Sequence, residues 1–150
     1  MRYGGHPAAS SVIFIFILRF NDIEVRKMIV GTHIIAEFYE CPEELLKHAE
    51  AIKAIMDRAI EKSGLKKVGE AYYQFKPHGA SGVILLSSSH ISIHTWPELR
   101  YASLDIYSCE SADKAKRAFD VCIEELKPQK IIYKEMKRGL LEFAADVEED

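Results

Sequence analysis

Between Ser81 and Cys109 the chain gathers Ser81, three consecutive serines at 87–89, His90, His94, Trp96, Glu98 and Cys109. Hydroxyl, imidazole and thiol groups at this density permit nucleophilic and acid–base steps. The run Ser87-Ser88-Ser89-His90 separates two apolar stretches, Val83–Leu86 and Ile91–Trp96, where a plain hairpin would carry Asn-Gly or Asp-Gly. His94 falls on a stretch able to turn back past the serines. The same residues also suit a solvated turn, a structural histidine and, at Cys109, a small buried hydrophobe. No Asp stands near enough in sequence to complete a serine-hydrolase constellation, and Gly79-Ala80-Ser81-Gly82 is only a fragment of a G-x-S-x-G elbow.

The elements that must position these groups read as follows. Ile34 to Tyr39 is a strand bounded by Gly31-Thr32 and Cys41-Pro42. Pro42 opens a helix with Glu43 and Glu44 in its first turn; Leu45, Ala49, Ile52, Met56, Ala59 and Ile60 form its inward face, and Lys62-Ser63-Gly64 closes it. Lys66–Phe75 reads as a strand, 76–82 as a loop, and Ala102–Tyr107 as a half-buried strand. Ser111 caps a second helix whose inward stripe is Ala115, Ala118, Phe119, Cys122 and Leu126, stopped by Pro128. Ile131–Met136 makes a last strand, and the end of the acidic tail beyond Gly139 reads as solvated. Successive strands without crossover helices predict an α+β two-layer sandwich, a largely antiparallel sheet with helices on one face. The other sheet face is then solvated or covered by a partner, and the aromatics of the middle strands favour a partner.

With 150 residues, 48% hydrophobic and 29% charged, the chain suits one domain with a real core and is no disordered polypeptide. A net charge of −3 without a basic block argues against a nucleic-acid binder. Cys41, Cys109 and Cys122 are odd in number and widely spaced, which fits neither a disulfide framework nor a zinc site, and reduced cytoplasmic thiols are expected. No metal is required by the residues present. The apolar run Val12–Leu18 is too short to span a membrane and lacks the flanks of a signal peptide. Met28 makes a sensible domain start, so residues 1–27 read as a poorly ordered extension of a 28–150 domain, with an extra strand as the alternative.

The stretch Gly82-Val-Ile-Leu-Leu-Ser-Ser-Ser-His-Ile-Ser-Ile-His-Thr-Trp-Pro-Glu98 resembles the processing site of the small prokaryotic S-adenosylmethionine decarboxylases, self-cleaving pyruvoyl proenzymes. The resemblance extends through Ala102–Cys109, His33–Tyr39 and Lys137-Arg138-Gly139, from about Met28 to Gly139. It implies that Ser89 attacks the carbonyl of Ser88, and that the chain is cut between 88 and 89. Ser89 then becomes the covalent pyruvoyl group, with Ser81 and His94 assisting and His94 as base. Decarboxylation would run through a Schiff base to the pyruvoyl, with Cys109 as the general acid, and would supply the aminopropyl donor for spermidine synthesis. For the substrate, S-adenosylmethionine, the family suggests Phe75 and His94 around the adenine, Trp96 near the sulfonium and Glu98 on the ribose, with Phe75 contributed across a homodimer of sheet-paired protomers. Cys41 and Cys122 stay structural. Two positions depart from the family pattern: Ser88 stands where Glu is usual, and Glu110 where Gly follows the Cys. The competing readings are a pyruvoyl decarboxylase of arginine or ornithine, and a homologue that binds partners without being processed.

Overall fold

The computed structural model describes residues 16–20 and 23–144. Its strands are β1 (Phe16–Phe20), β2 (Ile23–Tyr39), β3 (Lys67–Gln74), β4 (Ala80–Leu86), β5 (Ser89–Trp96), β6 (Tyr101–Ser108) and β7 (Lys130–Ala144). Its helices are α1 (Glu43–Leu46), α2 (Ala49–Ser63) and α3 (Ala112–Leu126). All neighbouring strands run antiparallel. The sheet order is β3-β4-β5-β6-β2-β7, with β1 beside the N-terminal end of β2 on the same side as β6. This is the expected α+β sandwich.

Period-two alternation sends Ile34, Ala36 and Phe38 of β2, Ile84 and Leu86 of β4, Ile91 and Ile93 of β5, and Leu104 and Ile106 of β6 to one face, all buried. Helices α2 and α3 cover that face with Ile52, Met56, Ala59, Phe119, Cys122 and Leu126. Each large side chain removed from water there contributes about 1.5–3 kcal/mol before the entropy of ordering it is subtracted. The Ser111 hydroxyl accepts from the Lys114 N–H at 3.3 Å, as its capping position predicts.

Four expectations are corrected. The single helix from Pro42 is broken at Lys47–His48, where His48 is extended. Gln74 holds the break: its Oε1 accepts from the Ala49 N–H at 2.7 Å, while its Nε2 donates to the Lys47 carbonyl at 2.9 Å. The changed phase buries Leu46 in place of Leu45. Replacing Gln74 with Ala should cost about 1–2 kcal/mol in urea unfolding, the worth of the hydrogen bonds that tie the break to the loop after β3. Second, β4 begins at Ala80, so Ser81 lies on a strand and not in a loop. Third, β7 runs through Gly139 to Ala144, because Gly139 takes φ 64° where a Cβ would sit 2.6 Å from Val30. Fourth, β2 starts at Ile23 and β1 occupies 16–20, so the boundary expected at Met28 falls inside a strand, and the end of the apolar run is the extra strand weighed above. The rest of that run, with residues 1–15, and the acidic tail at 145–150 lie outside the described residues.

Candidate active site

The helix-free face of the sheet carries two groups of polar side chains, at opposite ends of β5. The first is built where β4 begins and β5 ends. Ser81 and His94 are register partners, and Ser81 Oγ lies 2.7 Å from His94 Nδ1. That contact occupies one ring nitrogen and leaves Nε2 for proton transfer. A cavity of about 520 Å³ opens beside them, lined by Phe75, Lys76 and His78 of the loop after β3, together with Trp96 and Glu98. Its floor is fixed by Thr95, whose buried hydroxyl donates to the Leu46 carbonyl and accepts from the Ala80 N–H, both at 2.8 Å. Trp96 stacks on Tyr101 at 5.2 Å, Tyr101 lies 5.3 Å from Tyr39, and the Tyr101 hydroxyl bonds Glu37. Burial, then that carboxylate, pushes the Tyr101 phenol up to about 12.

The second group surrounds the serine turn. Leu86 pairs with Ser89, so Ser87 and Ser88 are the two central residues of the β4–β5 hairpin. Neither takes positive φ, so the turn is of the unprimed kind, whose twist runs against that of its strands. Ser89 Oγ is buried without a hydrogen-bond partner. Next to it, His90, Tyr107 and His33 stand in register across β5, β6 and β2, with centroids 5.8 Å (His90–Tyr107) and 5.5 Å (His33–Tyr107) apart. Arg138 Nη1 lies 3.1 Å from His33 Nδ1. Desolvation first, then the Arg138 and His90 charges, lower the His33 pKa, against the pull of Asp105. Cys109 follows the end of β6, half-buried, and Glu110 beyond it pairs with Lys114 and stays out of the left-handed region, so the departure from Gly costs the loop no strained backbone.

One chain therefore brings Ser81, His94, Phe75, Trp96 and Glu98 together at one end of β5, while Ser88 and Ser89 lie at the other end and Cys109 packs beside Tyr107 against Gly31. His94 does not turn back onto the serines: five residues along an extended strand carry it about 16 Å from Ser89. Tyr107, His33, His90 and Arg138 drew no role from sequence. Strand alternation through Ala102–Tyr107 already set Tyr107 on the face opposite Leu104 and Ile106, which was the available signal.

A two-layer sandwich with an antiparallel sheet open on one face, a Ser–His pair at one end of β5 and a buried, unpartnered serine at the other defines a class of small α+β proteins with polar side chains gathered on a bare sheet. The comparisons narrow that class to one family. The family model described as S-adenosylmethionine decarboxylase matches residues 32–139, leaving β1, β2 up to Gly31 and the end of β7 beyond Gly139 outside. The chain is 49% identical over 113 residues to the S-adenosylmethionine decarboxylase proenzyme of Picrophilus torridus, covering 75% of this chain and 87% of that one. It is 44% identical over 112 residues to that of Archaeoglobus fulgidus, covering 75% and 100%. The crystal structure of the adenosylmethionine decarboxylase from Aquifex aeolicus superposes with a TM-score of 0.76 at 41% identity, over 79% of this chain and 98% of that one. The chain belongs to the S-adenosylmethionine decarboxylase family, and it is a decarboxylase. Among the described residues no helix is long and apolar enough to cross a membrane.

Proposed function

We propose that the chain cleaves itself between Ser88 and Ser89 and, carrying the resulting pyruvoyl group, decarboxylates S-adenosylmethionine in the cytoplasm, supplying the aminopropyl donor for spermidine synthesis. The observation that carries this reading is the buried, unpartnered Ser89 hydroxyl, directly after a turn that holds the Ser88 carbonyl. A buried hydroxyl without a partner is costly, and a use in chemistry explains its retention. Attack of Oγ on the Ser88 carbon forms an ester as the amide C–N bond breaks. Loss of the Ser89 Cα proton then breaks the Cβ–O bond, releasing residue 88 as a carboxylate, and hydrolysis of the dehydroalanine sheds ammonia. Ser88 gives only its carbonyl, so the absence of the usual Glu removes no reacting atom. The pyruvoyl carbonyl supplies the electron sink that no ordinary side chain offers the carbanion left by departing carbon dioxide.

The chain's own residues do the rest. Cys109 returns a proton to the substrate carbon. The 520 Å³ cavity suits a nucleoside, with Phe75 and His94 about the base, Trp96 near the sulfonium, where a cation over an indole face gains about 0.5–2 kcal/mol, and Glu98 accepting from ribose hydroxyls. Glu98 is exposed, so Glu98→Gln should leave folding and cleavage intact while raising KM about tenfold at unchanged kcat, as loss of ground-state binding does.

Because the Ser81–His94 pair and Ser89 sit about 16 Å apart in one chain, the reading requires a second copy. Two open faces stacked about a two-fold axis near the middle of β5 bring the partner's His94 to the Ser88–Ser89 turn and Cys109, and the reciprocal site forms at once. Exposed Ile35, Val83, Leu85, Tyr73 and Ile132 on that face suit such a contact. The test is carbon dioxide release by the purified protein from carboxyl-labelled S-adenosylmethionine, arginine and ornithine in parallel. Release from S-adenosylmethionine alone supports the proposal; release from an amino acid alone assigns the sister activity.

A further inference from the structure

Tyr107 is gripped on four sides. His33 and His90 pack at 5.5 and 5.8 Å between centroids, and the Arg138 guanidinium lies 5.0 Å over the ring. On the fourth side the backbone of Gly31 comes so close that a Cβ there would sit 2.7 Å from Tyr107 Cε2 and 3.2 Å from Cys109 Sγ. The same notch therefore holds phenol and thiol against one strand. No substrate-lining role accounts for the ring, which stands outside the cavity.

We propose that Tyr107 is a positioning residue for the protonation step, its hydroxyl turned to Cys109 so that it steadies the sulfur when the thiol gives up its proton. This rests on the assignment of Cys109 as the proton donor. In the step, the Cys109 S–H bond breaks, the proton goes to the substrate carbon and the electron pair stays on sulfur. The Tyr107 O–H then donates to that thiolate without ionising, and solvent later restores the thiol's proton. A hydrogen bond to an ionised sulfur is stronger than one to a neutral thiol, so the contact favours the protonation transition state over the ground state. Consistent with it, the Tyr107 proton is held above its ordinary value first by the Cys109 side chain, then by burial, with Arg138 pulling the other way.

The test uses the full, cleaved protein and three readouts. In Cys109→Ala, the Tyr107 phenolate transition, isolated as the absorbance difference from a Tyr107→Phe control, should move to lower pH. In Tyr107→Phe, alkylation of Cys109 by iodoacetamide at neutral pH should slow roughly three- to tenfold, because the thiolate loses its donor. Peptide mass mapping separates Cys109 from Cys41 and Cys122, which are buried with thiols pushed up to about 11 and about 12 by desolvation. Turnover of S-adenosylmethionine by Tyr107→Phe should show kcat reduced by a similar factor with KM unchanged. Unchanged alkylation and an unmoved phenolate transition overturn the contact whatever the activity, and intact coupling with unchanged kcat overturns the role. Full turnover by Cys109→Ala would instead overturn the assignment of Cys109 beneath it.

Discussion

Ser89→Ala should remain a single chain of 17.1 kDa, whereas the unmutated protein should separate into residues 1–88 and 89–150. The effect is all-or-none, because the reaction needs an oxygen on the β-carbon of residue 89 and alanine has none. The neighbouring serines make the experiment discriminating. Ser87 and Ser88 occupy the two central turn positions, and Ser89 alone among the three carries the buried, unpartnered hydroxyl. Ser87→Ala and Ser88→Ala should therefore still cleave, since each gives up only a side chain that does not react. Intact mass of the C-terminal fragment should read a ketoacyl terminus starting at position 89, blocked to Edman sequencing and reduced by borohydride. Cleavage of Ser89→Ala, or a fragment beginning at 88, removes the basis of the pyruvoyl assignment.

Co-expression of His94→Ala with Ser89→Ala should restore what neither has alone. In a two-fold pair, the His94→Ala protomer keeps its own Ser89 and Cys109 and borrows the partner's Ser81–His94, so one of the two sites is whole. The His94→Ala chain should then be cut, although it stays uncut when expressed by itself. Random pairing makes half the dimers mixed with one working site each, so activity should reach about a quarter of the unmutated protein's. If His94 served the Ser89 of its own chain, every site in the mixture would carry a lesion, and neither cleavage nor carbon dioxide release would appear. The length of β5 is what makes the two outcomes distinct: about 16 Å is beyond the reach of any side chain.

Much of the fold was legible because the patterns responsible are local. Alternation along Ala102–Tyr107, the Ser111 cap and the stripe through Phe119 and Cys122 each depend on residues within a few positions of one another, and each recurs in the structure. The α1–α2 break was not legible, since it depends on Gln74 and Gly79 reaching Lys47 across a loop. The onset of β4 at Ala80 was hidden by glycines and a serine whose composition resembles a loop, until pairing with β3 and β5 extended it.

The site divides along the same line. By itself the sequence determined which chemical groups are present, the order in which they occur, and the family whose processing motif they match, because a motif is a linear arrangement. Only the tertiary structure decided their neighbours. Extended β5 holds Ser89 and His94 apart while antiparallel register sets Ser81 against His94 and Tyr107 against His90. Distances between strands are settled by pairing across the whole sheet, which no spacing along one stretch of chain encodes.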